Sequence, residues 1–449
     1  MRATDMTKGK PGKLLLSFAV PMMLGNVFQQ LYTIVDGAFV GRFAGIEALA
    51  AVGAADWLTW IFMGIVMGFT QGFSILISQR FGARDEEGLK KAVAQSVTLT
   101  AIIAVLIILV SQSATTLLLK ILGTPPDIFP GAVLYLRIIF LCAPCYSAYN
   151  LLAAILRAVG DSKTPLIAMV IASITNIVLD GVFVILFHWG IAGAAAATVI
   201  AQSASAVYCY FTIRSLSAVQ FQKSDLKLDR PLAKRLISLG SPAAMQNVII
   251  GFGGMAVQRV INSFGSVFIA GFTATNKLYG LMEMAATSYG AAIAAYTGQN
   301  YGAKSRKRIV TGVRTGVIVS IITSFAIAAA MFLSGRAVLS LFVDPNAPTR
   351  ESVLDVAQRY LNIMLAGLFI LYLLYVYRSA LQGMGDTMTP MLSGLAELVM
   401  RVASAMLLPG VLGQDGIFFA EPAAWLGAEL LLMITYYRKI RNLSFKEEL

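Results

Sequence analysis

Apolar residues run along this 449-residue chain in long blocks separated by short polar connections. Twelve blocks are long enough to cross about 30 Å of hydrocarbon as a helix. In the first half they fall at residues 14–40, 52–78, 92–119, 130–156, 164–188 and 191–213. In the second half they fall at 236–262, 266–297, 309–334, 353–382, 388–411 and 417–437. Lipid cannot satisfy open backbone groups, so blocks of this length predict helices. The alternate connections differ in charge. One set carries Lys8, Lys10, Lys13, Arg80, Arg84, Lys90, Lys91, Arg157, Lys163, Lys223, Lys227, Arg230, Lys234, Arg235, Lys304, Arg306, Lys307, Arg308, Arg438, Lys439 and Arg441; the other holds little beyond Arg42, Lys120, Arg336 and Arg350. The basic set and both termini are therefore expected on the cytoplasmic side.

The blocks form two related sets. Gln79-Arg80-Phe81-Gly82-Ala83-Arg84 recurs as Gln299-Asn300-Tyr301-Gly302-Ala303-Lys304, Pro21 meets Pro242, and the Leu156–Pro165 segment around Gly160-Asp161 recurs as Leu381–Pro390 around Gly385-Asp386. Three landmarks in the same order predict an internal repeat. The expected fold is an all-α membrane protein with twelve transmembrane helices in two six-helix lobes. Each half holds an even number of spans, so a pseudo-twofold axis along the membrane normal should relate them. The expected divisions are an N-terminal lobe at 1–214, a cytoplasmic linker at 215–231 and a C-terminal lobe at 232–449. The Gly-Asp and Phe/Tyr-Gly-Ala turns read as helix caps.

Composition agrees with lipid as the solvent: 57% of residues are hydrophobic and 13% charged, against about a quarter charged in soluble domains. No connection is long enough to be a soluble catalytic domain. The first block lacks a small-residue cleavage site and exceeds a signal-peptide core, so it is expected to stay as a membrane helix. The net charge of +12 lies mainly in the cytoplasmic connections and predicts topology, not a nucleic-acid partner. Cys142, Cys145 and Cys209 lie in apolar blocks and read as packing residues. A single histidine, His188, and the absence of nucleotide-loop or metal-ligand spacing argue against an enzyme and against a cofactor.

Ionisable residues at membrane depth cost about 2.5–3.5 kcal/mol each on insertion scales and mark function. Asp36 in the first span and Asp180 in the fifth lie at depths within about 6 Å of one another. Asn176 shares the face of Asp180, and Thr198 in the sixth span reaches the same level. Two carboxylates, an amide oxygen and a hydroxyl suit a small hard cation such as Na⁺, or a proton shared between two acids. In the second half, Glu397 and Arg401 are four residues apart and are expected to neutralise each other, whereas Glu283 has no such partner. Glu283 is expected to attract organic cations, beside adaptable or aromatic Trp57, Met63, Met282 and Met284. Asp56 and Lys277 occupy repeat-related positions and are a candidate outer gate. Pro21 and Pro242 weaken the helices that open each half and are candidate bending points.

Tyr32-Thr-Ile-Val-Asp36, Phe39-Val-Gly41-Arg42, the Gln79–Ala83 turn, Leu156-Arg-Ala-Val-Gly-Asp161, Asn176-Ile-Val-Leu-Asp180 and Gly193–Thr198 together resemble the multidrug and toxic compound extrusion (MATE) family, along nearly the whole chain. The resemblance implies two six-helix lobes around a central cavity in the bacterial cytoplasmic membrane. It further implies efflux of small cationic or amphipathic organic compounds by a monomer, driven by Na⁺ or H⁺. The family's cation site carries onto Asp36, Asn176, Asp180 and Thr198, and Gln29 and Tyr32 join the expected cavity. Many members place an acid on the seventh helix; Leu236–Asn262 has none, and Glu283 stands in the eighth.

Two other functions compete. A flippase for lipid-linked oligosaccharides would need a cationic cavity; Arg259 and Lys277 are its only candidates in the seventh and eighth spans, opposed by Asp36, Asp56 and Glu283. A channel would pass ions without stoichiometric exchange.

Overall fold

In the computed structural model, which describes residues 4–261, 263–343 and 348–445, thirteen α-helices account for the twelve expected spans. They are α1 (Pro11–Phe39), α2 (Ile46–Gly82), α3 (Glu86–Ile121), α4 (Phe129–Leu141), α5 (Ala143–Ala158), α6 (Lys163–Asp180) and α7 (Gly190–Arg214). There follow α8 (Arg230–Ile261), α9 (Ser266–Gly302), α10 (Arg306–Leu339), α11 (Arg350–Gly383), α12 (Met388–Leu412) and α13 (Ala420–Asn442). Ten helical segments are long and apolar enough to cross a membrane. The expected continuous fourth span is broken: α4 and α5 meet at a 49° bend at Cys142, where Pro144 in the first turn of α5 brings no N–H to continue the ladder. Together they make an eleventh span. The twelfth is α9, 37 residues long and made less apolar by Thr275, Asn276, Lys277, Glu283 and Ser288. Asn262, at the end of the expected seventh span, lies outside the described residues.

The sequence landmarks are matched caps. Arg84 and Lys304 both adopt left-handed backbone, with φ of 58° and 53°. The turns before them close identically, Ala83 N–H to Gln79 O and Ala303 N–H to Gln299 O, each at 2.9 Å. At the second landmark Gly160 and Gly385 have φ of 85° and 81°, which glycine adopts without a Cβ penalty. Asp161 and Asp386 then accept the backbone N–H of Thr164 and Thr389, each at 3.0 Å, capping α6 and α12. These residues are spent on ending and starting helices.

The chain divides into two compact units: Val20–Asn247 with the start of the chain up to Asp5, and Met6–Ala19 with Val248–Leu449. These bounds differ from a simple halving at the linker, because α1 and α8 each change unit part-way along, close to Pro21 and Pro242. The linker holds two short 3₁₀ turns, Ser217–Val219 and Lys223–Leu226. It is tied to α3 by two side chains: Gln95 donates to the carbonyls of Asp225 and Lys227 at 2.8 and 2.7 Å and accepts from Asp229 N–H at 3.1 Å, and the Thr98 hydroxyl donates to Leu226 O at 3.2 Å.

Within the first unit, α2 meets the opening turns of α8 through small residues. A methyl on Gly68 would lie 2.3 Å from Ala244 Cα, and one on Gly72 2.4 Å from Gly240 Cα. Asn247 donates to Gly64 O at 2.8 Å on the same stripe. Close backbone approach of this kind holds membrane helices together where lipid offers no hydrophobic drive. Replacing Gly68 by Val is expected to destabilise the protein by about 1–3 kcal/mol or more through overpacking. Gly53→Val, on the same helix with open space around it, should be neutral; equal thermal midpoints for the two variants in detergent would contradict the close crossing.

Candidate functional site

The ends of α1 and α6 are unusual. Each passes into a π-helical turn, Val40–Ala44 and Gly181–Leu186, and the two turns pack together. Such turns insert an extra residue into the helical ladder and recur at functional sites. Asp180 is the last residue before its π turn, and Asp36 lies one turn before its own. Asp180 is 0% exposed, Asn176 is 1% exposed, and Asp36 is half-buried.

The carboxyl groups of Asp36 and Asp180 lie within hydrogen-bonding reach of one another. Even so, Oδ1 of Asp36, both carboxyl oxygens of Asp180 and both amide atoms of Asn176 are buried without a hydrogen-bond partner. Two carboxylates offer only acceptors to each other, so proximity cannot satisfy them. Orphaned buried polar atoms are rare in folded proteins, and here they converge from two helices. Four of them are oxygens, a donor set that fits a hard monovalent cation or a proton. Among the described residues no group of three or more His, Cys, Asp or Glu side chains forms a metal cage. Thr198 is half-buried on α7, which packs along α6, and its hydroxyl is not bonded to either acid.

Tyr32 stands beside Asp36, Gln29 and Gln202, and Tyr135 of α4 lies near both acids. Sequence reasoning did not single out Tyr135, because a tyrosine in an apolar block carries no signal of its own. Asp56 on α2 is exposed and adds its field at Asp36; Lys277 on α9 is exposed in the other unit. Trp57 is exposed as well. Met63 and Met282 are buried, at 6% and 3% exposure, and Met63 packs with Phe62 and Phe140. His188 is an exposed left-handed residue at the end of the second π turn, next to the stacked pair Phe183 and Trp189, as befits a membrane interface.

In the second unit the expected intrahelical pair of Glu397 and Arg401 is present at 3.9 Å and extends into a chain across three helices. Glu397 also accepts from Arg378 of α11, and Arg401 bonds Glu421 of α13 at 2.8 Å. Glu283 accepts from the Tyr375 hydroxyl at 2.8 Å. Arg378, Glu421 and Glu429, near the ends or inside of apolar blocks, escaped the sequence reading.

A family model described as MatE matches residues 21–182 and 242–407, two copies that begin at the paired prolines. The chain belongs to the MatE family of membrane transporters. It is 29% identical to the probable multidrug resistance protein YoeA of Bacillus subtilis over 444 residues, covering 96% of this chain and 95% of the relative. To the probable multidrug resistance protein YpnP of the same organism it is 31% identical over 309 residues, 69% of each chain. The fold is that of a MOP superfamily transporter from Pyrococcus furiosus, with a TM-score of 0.92 at 23% identity and 99% of both chains covered.

Removing Arg378 leaves Glu397 only the weaker pairing with Arg401, 3.9 Å away and shared with Glu421, which costs up to about 3–5 kcal/mol. Arg378→Ala is therefore expected to lower the thermal midpoint sharply, whereas the double replacement Arg378→Met with Glu397→Met should recover most of the loss. A double variant no more stable than Arg378→Ala would contradict the pairing.

Proposed function

We propose that the chain is a secondary antiporter of the bacterial cytoplasmic membrane that exports cationic or amphipathic organic compounds in exchange for Na⁺ or H⁺. The orphaned cluster of Asp36, Asn176 and Asp180 carries this reading. Its oxygens are buried where ionised carboxylates are tolerable only with a captured positive charge. In the mechanism, the cation enters from outside, drawn by Asp56 at the approach, and bridges the two carboxylates. Thr198 completes the coordination on closing. Binding favours the conformation in which α1 and α6 hold together, and the π turns supply the pliable backbone for that change. Substrate leaves as the cation is captured and the site reopens to the cytoplasm, where the ion is released. Glu283 provides negative charge for cationic substrates. Each charge that falls through 100 mV supplies about 2.3 kcal/mol, enough to drive roughly fifty-fold uphill export per charge.

The names of YoeA and YpnP support the substrate class, and the basic connections support cytoplasmic termini. Everted vesicles are expected to take up a cationic dye from the medium under a Na⁺ or a pH gradient applied separately, with the ion concentration high inside. Asp36→Asn and Asp180→Asn should each reduce gradient-driven transport at least ten-fold, with the protein still folded. Full transport by both variants would exclude the cluster from coupling. Loss of cell-envelope synthesis on deletion, with drug sensitivity unchanged, would replace efflux by lipid-linked oligosaccharide flipping.

A further inference from the structure

Among the described residues, Glu283 and Glu429 are the acids of the second unit outside the ion-pair scheme; Glu283 accepts from Tyr375, and Glu429 has no hydrogen bond at all. Glu429, mid-way along α13, is 4% exposed, and both carboxyl oxygens are buried with no hydrogen-bond partner. The charges around it are otherwise balanced, Arg378 and Arg401 against Glu397 and Glu421. Glu429 is the acid that this chain leaves with neither a cation nor a hydrogen bond. The Arg378 guanidinium acts on it electrostatically, and the Arg378 Nε is itself buried and unbonded.

We infer that Glu429 is a proton-binding site, and that its ionisation is linked to Arg378 changing partner from Glu397 to Glu429. While Arg378 holds Glu397, an ionised Glu429 would be an uncompensated buried charge, so the carboxyl keeps its proton. When Arg378 swings over, the O–H bond of Glu429 breaks, the proton passes to water, and the electron pair left on the carboxylate takes Arg378 as its partner. Glu397 is not stranded, because Arg401 already stands 3.9 Å from it. The ligand is a proton and not a metal ion, since a guanidinium beside a lone carboxyl repels a metal cation but tolerates a neutral acid.

The ionisable groups on the elements packed against this site are few. α11 brings Arg378 and Tyr377, whose hydroxyl is 3.2 Å from that of Tyr437; Arg359, further up α11, is paired at 2.8 Å with Asp415 of the 3₁₀ turn before α13. α12 brings Glu397 and Arg401, and α13 itself Glu421, Tyr436 and Tyr437. Arg378 alone joins Glu429 to the paired chain.

The site stands on this geometry, and only its consequence, a second proton step in export, rests on the antiporter reading. Infrared difference spectra of the purified full-length protein between acid and alkaline pH test it without transport. A protonated-carboxyl C=O band is expected in the wild type, lost in Glu429→Gln and kept in Asp36→Asn and Asp180→Asn. Should Glu429→Gln not fold, Glu429→Asp retains the acid and is expected to shift the band. A band unchanged in Glu429→Gln, or unshifted in Glu429→Asp, overturns the inference. A band lost as expected in a protein that exports nothing supports the site while removing the antiporter reading.

Discussion

A carboxylate taken out of water has to be neutralised, and two carboxylates placed side by side double the demand. Asp36 and Asp180 present that problem at the junction of α1 and α6, and Asn176 adds an amide whose oxygen and nitrogen also find no partner. Interhelical glue would have paired these groups with donors, as Ser173 does by donating to Phe28 O at 3.3 Å and to Met169 O at 2.8 Å a turn or more along the same helices. The cluster keeps its acceptors free instead. In the proposed mechanism a visiting positive charge turns this unfavourable arrangement into a favourable one, and its arrival and departure bias the packing of the two helices that carry it. The adjoining π turns matter for the same reason: their looser ladder lets a helix end re-register at small cost.

The two halves descend from one pattern but handle buried charge in opposite ways. The first unit leaves its acids unpaired; the second spends Arg378 and Arg401 on Glu397 and Glu421. Charges paired in this way are firm but replaceable: removing one partner costs far more than removing both. Such a chain across α11, α12 and α13 fixes three helices relative to one another. It leaves Glu429 outside the chain, with both carboxyl oxygens unbonded. The matched caps at Gly160 and Gly385 and at Arg84 and Lys304 show what stayed common, namely the backbone geometry that ends each helix.

Much of this architecture is legible in the residue pattern. Spans are long apolar blocks, the repeat is carried by residues with obligatory local roles, and Asp36 and Asp180 stand out because hydrocarbon tolerates few acids. The bend at Cys142 was less visible because the block continues apolar through it, and Pro144 sits where a proline also simply begins a helix. The π turns leave no periodicity that a short segment could display. Arg378 was missed because its partner Glu397 lies on another helix, which the sequence does not place beside it. Which residues Met63 packs with, Phe62 and Phe140, depends on the facing helix and not on its chemistry alone. Local backbone rules and depth are one-dimensional and can be read; partners from other helices are not.

The central claim is that Asp36 and Asp180 jointly hold the ion that substrate export releases or admits. Purified protein in a lightly buffered solution can be challenged with a cationic dye while proton release and bound radioactive Na⁺ are followed together. One of the two ions is expected to leave the wild-type protein as dye binds, and neither to leave Asp180→Asn. Dye binding that displaces no ion from the wild type, or displaces it equally from the variant, would contradict the account.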